Sequence, residues 1–535
     1  MAVKDCKELD RAQLTKEQKL GLLLCANLYQ GEKDVEDALT MIREHRLGAV
    51  WIATHMKNRD DVMRRVHEAA DYPILILCDA ENGAPGYEIP SAISLSAANA
   101  RNEYARAFGR LTSTYYARLG YNCICHPVLD RRTENRPCGG TTRIISPHKE
   151  IVARLGGEIA RGMHEGGTLA VAKHYPSPMK GKPYDSHMRE GFADDTREDL
   201  LTEGLYPYRK LTEEDVIDGV MVGHALLPNI DPEHPASLSR PVMDILRECG
   251  FNGFYISDAL GMMGVVLKYG HHKPTAMAIA AGCDIPLSWS IPCREAYEVL
   301  LTAYRSGEIT DEQLELSVGR VLDAQHKITL LPKSPEILPE DVECIRRLNR
   351  ECISGVIEEG LTPTVSREGK HLFIIMVDAV KPYEEEFDTF AGVWYKPDAI
   401  EARIRELFPN SDVVKHPNFP NPSQNLTLFN KQTAFDDIIY ITYCKSECFI
   451  GKECLTRRTV DLMDALQSKD RIIAHLHFGN PFVATDAPYV PRVLLGWGSE
   501  GCVMHTLDIL AGNAALCGVQ PYADFLHFHK KGDVL

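Results

Sequence analysis

The stretch KHYPSPMKGKPYDSHMRE, from Lys173 to Glu190, crowds histidines, lysines and an aspartate among three prolines. Proline lacks a backbone donor and fixes its own φ, so these side chains are carried by a loop rather than by a helix or an inner strand. A loop after a strand end is where a mobile catalytic group can be held over a pocket. Asp185 and His187 flank Ser186, and an aspartate so placed can bond one imidazole nitrogen, fix the tautomer and raise the basicity of the other. That pair could donate and accept a proton; read from the residues alone, a solvated loop with a surface histidine is the alternative. A second carboxylate, Asp258, ends the apolar run GFYIS and precedes the small-residue turn ALGMMG. It can face a pocket, or it can cap the helix that follows.

The elements that must position these groups follow a βα rhythm between about residues 45 and 290. The strand candidates are LGAVWIA, YPILILCD, YNCICHPVLD, GGTLAVAKHYP, VIDGVMVGHALL, GFYISDAL and AAGCDIPL. Helical periods separate them, as in EDALTMIREHR and KEIVARLGGEIARGMHEGG. Ionisable residues collect where these runs end: Asp79, Asp130, Lys173, His174, His224, Asp258 and Asp284. In a parallel barrel the carboxyl ends of the strands converge on one mouth. No glycine-rich dinucleotide turn follows an early strand, which disfavours the open doubly wound sheet. The expected fold is therefore a (β/α)8 TIM-type barrel over residues 1–330. The proline-rich run LLPKSPEILPE opens a linker with a helix over 331–364. A smaller α/β (αβα) sandwich over 365–535 follows, from the strand-like runs HLFIIMVD, FDDIIYITYC, RIIAHLHFGNPF and PRVLLGWG. By residue type alone, the default readings are Lys173 as an ion-pair partner, His174 as a core histidine, Arg143 as a surface charge and Asp79 as a turn residue. Packing or capping accounts for His224 and Asp284.

The balance of the chain narrows the partners. A formal net charge of −16, with no long basic block, argues against nucleic acid. The N-terminal residues carry charges throughout and no window is long and apolar enough for a membrane span, so a cytoplasmic protein is expected. The sixteen cysteines are scattered, many inside apolar runs, which fits packed thiols. Cys444, Cys448 and Cys454 do not have the spacing of a zinc knuckle, so no metal is expected. A homo-oligomer is compatible with the sequence.

Several motifs, in order, resemble glycoside hydrolase family 3, and within it the bacterial β-N-acetylglucosaminidases. KHYP and DSH echo the family's KHFPGHG…DSH, and SDALGMM its nucleophile motif S/T-D-x-x-x-M. LTKEQKLGLLL, LCDAENG, PVLD followed by Arg143, MVGHALLP, PASLS, AAGCD and FGNPF extend the likeness over nearly the whole chain. The resemblance implies Asp258 as nucleophile, His187 as acid/base oriented by Asp185, and Asp79, Arg143, Lys173 and His174 as residues that grip the sugar hydroxyls. It implies a retaining exo-β-N-acetylglucosaminidase that removes terminal β-linked N-acetylhexosamine from small glycans or cell-wall fragments through a covalent glycosyl-enzyme, with no cofactor. The family's glycines and second histidine are replaced in YPSPMKG, D-x-E-G-G has become DAENG, and Ile144 and Ile145 follow Arg143. These departures point to altered substrate selection, with Lys180 and Lys182 either solvated or facing an anionic ligand group. A β-glycoside phosphorylase, a β-glucosidase and a catalytically silent sugar-binding protein are the competing readings.

Overall fold

The computed structural model describes residues 6–29, 31–81, 83–134, 140–181, 184–378, 394–444 and 451–533. Lys182 and Cys448 lie outside the described residues. Packing divides the chain into two compact units, one of Met1–Ala84, Ala105–Arg131 and His148–Val342, the other of Pro85–Tyr104, Arg132–Pro147 and Glu343–Leu535.

The strands of the first unit are β1 (Cys25–Asn27), β2 (Ala49–Trp51), β3 (Leu75–Cys78), β4 (Cys123–Ile124), β5 (Leu169–Tyr175), β6 (Gly191–Phe192), β7 (Gly219–Val222), β8 (Ala225–Leu227), β9 (Asp231–Pro235) and β10 (Phe254–Ser257). Seven of them form one sheet in the order β1-β2-β3-β4-β5-β7-β10, each pair parallel. Ile285 adds an isolated parallel bridge to Ile256 at the eighth position. Beyond it, Trp289 meets Trp51 of β2 edge-on, with ring centroids 5.8 Å apart, so the chain after the last strand has come round to the first ones. This curled parallel sheet is the barrel the sequence predicts. The strand β1 was not among the sequence candidates, because the helix Lys16–Leu22 runs into it through one unbroken apolar stretch, KLGLLLCAN, with no turn signal.

Register explains which side chains reach the mouth. Leu77, Cys123 and Leu169 are lateral partners, as are Val171, Gly219 and Phe254. Side chains alternate faces along a strand, so Asp79, Lys173 and Asp258 all continue the same face as these partners. The outer helices bury their complementary stripes. Arg240–Glu248 is a compact case: Ser239 accepts the Val242 N–H as cap, Pro241 stands in the first turn, and Val242, Met243, Ile245 and Leu246 are buried. Each such side chain contributes about 1.5–3 kcal/mol when fully buried. Asp284 precedes rather than follows its strand position. It is fully buried among Arg247, Arg320, Ser317 and the Tyr255 N–H, a structural knot at the start of that strand.

In the second unit β11 (Ser354–Ile357), β12 (His371–Val377), β13 (Asp412–Pro417), β14 (Asp437–Tyr443), β15 (Ile472–Phe478) and β16 (Arg492–Gly496) are ordered β11-β16-β15-β14-β12-β13. All pairs are parallel except β11 with β16. The β13-β12-β14-β15-β16 part has the 2-1-3-4-5 winding of flavodoxin-like sheets. Residues 331–364 thus hold a sheet strand, β11, besides the helix Pro339–Glu351. β13 escaped the sequence reading because it is an edge strand, DVVKHP, with too few apolar residues to stand out.

Candidate active site

Asp258 follows β10, and its main-chain N–H donates to Val222 O at 2.8 Å, fixing the turn against β7. Its Oδ1 accepts the N–H of Ala259 at 2.8 Å. The next helix, Met263–Tyr269, starts further on and has no side-chain cap, so the capping alternative for Asp258 does not hold. The carboxylate is left to face the mouth. Burial would push its pKa up, but the fields of His224, His174 and His187, with the Ala259 N–H, more than offset this and hold it below the usual value.

His187 sits on a built turn rather than a loose flap. The N–H groups of Met188 and Arg189 donate to Asp185 O at 3.0 and 3.1 Å, and the His187 N–H donates to Asp185 Oδ1 at 2.9 Å. The same Oδ1 receives His187 Nδ1 at 2.8 Å, and the Asp185 side chain is only 4% exposed. A carboxylate can only accept, so Nδ1 carries the proton and Nε2 is the nitrogen left to work. After this turn the chain enters β6, whose Gly191 pairs with Ala225.

Beside them, Lys173 is 2% exposed and its Nζ bridges Asp79 Oδ1 at 2.6 Å and Glu81 Oε2 at 3.1 Å. Burial raises the Asp79 pKa, with Lys173 opposing and Glu81 and Asp258 reinforcing it. His174 presents Nδ1 to Asp130 Oδ2 at 2.7 Å. His224 donates Nε2–H to Ala259 O at 3.0 Å and accepts from Ser237 Oγ at 2.7 Å, and burial lowers its pKa although Asp258 opposes. It therefore holds the peptide directly after Asp258.

The structure thus brings together Asp258, His187, Asp185, Asp79, Lys173 and His174. Arg143 ends the short helix Gly140–Arg143 within the second unit. Lys180 is exposed and paired with Asp199 at 2.6 Å, so its charge is taken up locally. Sequence reasoning missed Glu81, passed over Asp130 and set His224 aside. Asp130 and His224 end strands like the residues that were chosen, and that shared position was the signal available. Among the described residues no group of three or more His, Cys, Asp or Glu side chains is arranged to hold a metal ion. No helix among them is long and apolar enough to cross a membrane.

Comparison with known proteins adds four findings. Residues 13–324 match the family model described as glycosyl hydrolase family 3 N terminal domain. A beta-N-acetylglucosaminidase/beta-glucosidase of Cellulomonas fimi is 27% identical over a 558-residue alignment that covers 96% of this chain and 94% of that protein. Among solved structures, a family 3 β-N-acetylglucosaminidase from Paenibacillus superposes with a TM-score of 0.79 at 23% identity, covering 95% of this chain and 98% of that one. A β-glucoside phosphorylase superposes at 0.81 and 21% identity, covering 95% and 94%. At such identities the last two speak for the fold alone.

Proposed function

This chain belongs to glycoside hydrolase family 3, and from that premise we propose that it is a retaining β-N-acetylhexosaminidase that takes terminal N-acetylhexosamine from small glycans or cell-wall fragments. The observation that carries the reading is the buried Asp185 carboxylate holding Nδ1 of the part-open His187 ring at 2.8 Å, with Asp258 at the end of its strand near enough for that ring to favour its ionised form. A double displacement needs a carboxylate to attack the anomeric carbon and a separate proton donor for the leaving oxygen. Asp258, held ionised, is the nucleophile. His187, protonated on both nitrogens and steadied by Asp185, gives its Nε2 proton to the glycosidic oxygen as the bond breaks. Neutral Nε2 then takes a proton from the incoming water, which attacks the glycosyl-enzyme and frees Asp258. Asp79 and His174, braced by Lys173, Glu81 and Asp130, present fixed hydrogen-bonding groups to the sugar hydroxyls. Cys25, Cys78, Cys123, Cys125 and Cys283 are buried thiols packed in the barrel unit, which supports a reducing, cytoplasmic setting.

The test is turnover of a chromogenic β-N-acetylglucosaminide by the wild type, Asp258→Ala and His187→Ala, with mass spectrometry of a 2-fluoro-sugar adduct. A wild-type adduct on Asp258 and loss of turnover in both variants are expected. Equal turnover by all three proteins would falsify the assignment. Phosphorolysis is the second reading, because an imidazole repels an approaching phosphate less than a carboxylate would. A sugar 1-phosphate formed only when phosphate is present would establish it; free sugar under both conditions dismisses it.

A further inference from the structure

We propose that Gly264 is a positioning residue that seats the acid/base turn on the segment continuing from the nucleophile, a role that rests on the assignment of His187 as acid/base. The Gly264 N–H, in the first turn of the helix Met263–Tyr269 and so without a partner inside that helix, donates to Ser186 O at 2.9 Å. A Cβ at this position would stand 3.0 Å from Arg189 O and 3.1 Å from Ser186 O. Both are tighter than side-chain carbons ordinarily come to backbone oxygens, so a side chain here must push the turn outward. A second contact, Ser186 Oγ to Met262 Sδ at 3.5 Å, lies alongside.

The turn transmits such a push. Its carbonyls and amides are locked together by the Met188, Arg189 and His187 N–H bonds to Asp185, so it shifts as one piece and carries the imidazole with it. Asp258 and Gly264 belong to one short stretch, itself held by the Asp258 N–H to Val222 O and the Leu260 N–H to Leu287 O. The seam of Gly264 against Ser186 and Arg189 therefore helps to set the separation between Asp258 and His187 Nε2. Proton transfer demands hydrogen-bond reach, so an outward shift weakens acid assistance before it disturbs nucleophilic attack.

The experiment compares wild type, Gly264→Ala, Gly264→Val and His187→Ala on two substrates of the sugar that the wild type turns over, the 2,4-dinitrophenyl and the phenyl β-glycoside. Dinitrophenolate leaves without protonation; phenolate needs it. Gly264→Ala should lose about ten-fold in kcat/KM on the phenyl glycoside, part of the ~10²–10⁴ that acid catalysis supplies, and less than about two-fold on the dinitrophenyl one. Gly264→Val should widen that gap, and both should show the leaving-group dependence of His187→Ala. A helical glycine replaced by alanine does not weaken the helix, so Gly264→Ala folds even if Gly264→Val does not. Equal losses on both substrates, or no loss, in a Gly264→Ala protein with wild-type thermal stability overturns the proposal. Should His187→Ala itself lose nothing on the phenyl glycoside, the acid/base assignment fails, whatever Gly264 does.

Discussion

The histidines of the two units have opposite fates. At the barrel mouth His174 and His187 each direct Nδ1 at a buried carboxylate, Asp130 and Asp185, and each keeps part of its ring open. In the sandwich, His475 and His477 of β15 are fully buried. His477 donates Nε2–H to Asn480 O at 2.9 Å, which leaves its Nδ1 to accept from Thr442 Oγ1 at 2.7 Å; that oxygen in turn accepts from His475 Nε2 at 2.7 Å. Burial drives their pKa values down to about 3 and about 4, so both are neutral wedges between strands. Location in a domain is not the cause. His126, inside the barrel unit and stacked on Phe108, is pushed by burial to about 3 as well. Among these five rings, the two at the mouth have a facing carboxylate together with an opening to solvent, and the three structural ones have neither.

The largest effect that would sharpen this contrast comes from removing the cation of the mouth. Lys173→Met takes the cation from the buried Glu81 and the part-exposed Asp79 and is expected to destabilise the protein by about 3 kcal/mol, the lower end of what breaking a buried pair costs because Asp79 reaches solvent. Since a carboxyl deprived of its cation resists ionisation, the loss should deepen as pH rises. Denaturant titrations across pH measure it, and an unchanged midpoint would deny Lys173 its bracing role. Next, Asp185→Asn keeps the shape of the turn but withdraws the charge that steadies the imidazolium. A fall in kcat on the order of 10²-fold is expected with little change in stability. If kcat held while stability dropped, His187 would belong with the structural histidines.

On the other side of the comparison, Thr442→Val removes the hydroxyl between His475 and His477 and should cost about 1–3 kcal/mol, leaving the pH–rate profile untouched. A shifted profile would show the sandwich network coupled to the chemistry. The smallest effect concerns His371. Burial lowers its pKa, but the Asp437 carboxylate and Ser366 O outweigh that and raise it above its ordinary value. The stabilisation it gives is thus complete below the unfolded-state pKa of about 6.5 and fades as pH climbs through the raised folded value. The unfolding temperature should decline by about 2–4 °C over that rise, the size a contribution of ~1 kcal/mol produces in a domain of this size. Asp437→Asn should flatten the slope; a slope unaltered by that change removes His371 as its source.

Much of this architecture was legible before any coordinates. The βα rhythm marked the barrel strands β2, β3, β4, β5, β7 and β10, because each is a short β-branched run bounded by polar residues. β1, β11 and β13 were not legible: the first is hidden in a continuous apolar stretch, the second follows a helix directly, and the third is a polar edge strand. The site was legible as a set of strand-end residues. Glu81 was not, since an acidic residue in the turn DAENG looks solvated until Lys173 is seen to reach it.

What the sequence determined by itself was the order of elements and the residue types delivered to the mouth, because period and strand-end position are properties of neighbours along the chain. Which of two readings each polar residue took was decided only in three dimensions. Asp258 was free to cap a helix until the turn after it proved uncapped, and His224 passed for packing until its ring met Ala259 O. Partners that convert a carboxylate or an imidazole from solvated to functional arrive from strands far apart in sequence, and only the curling of the sheet brings their charges within reach of one another.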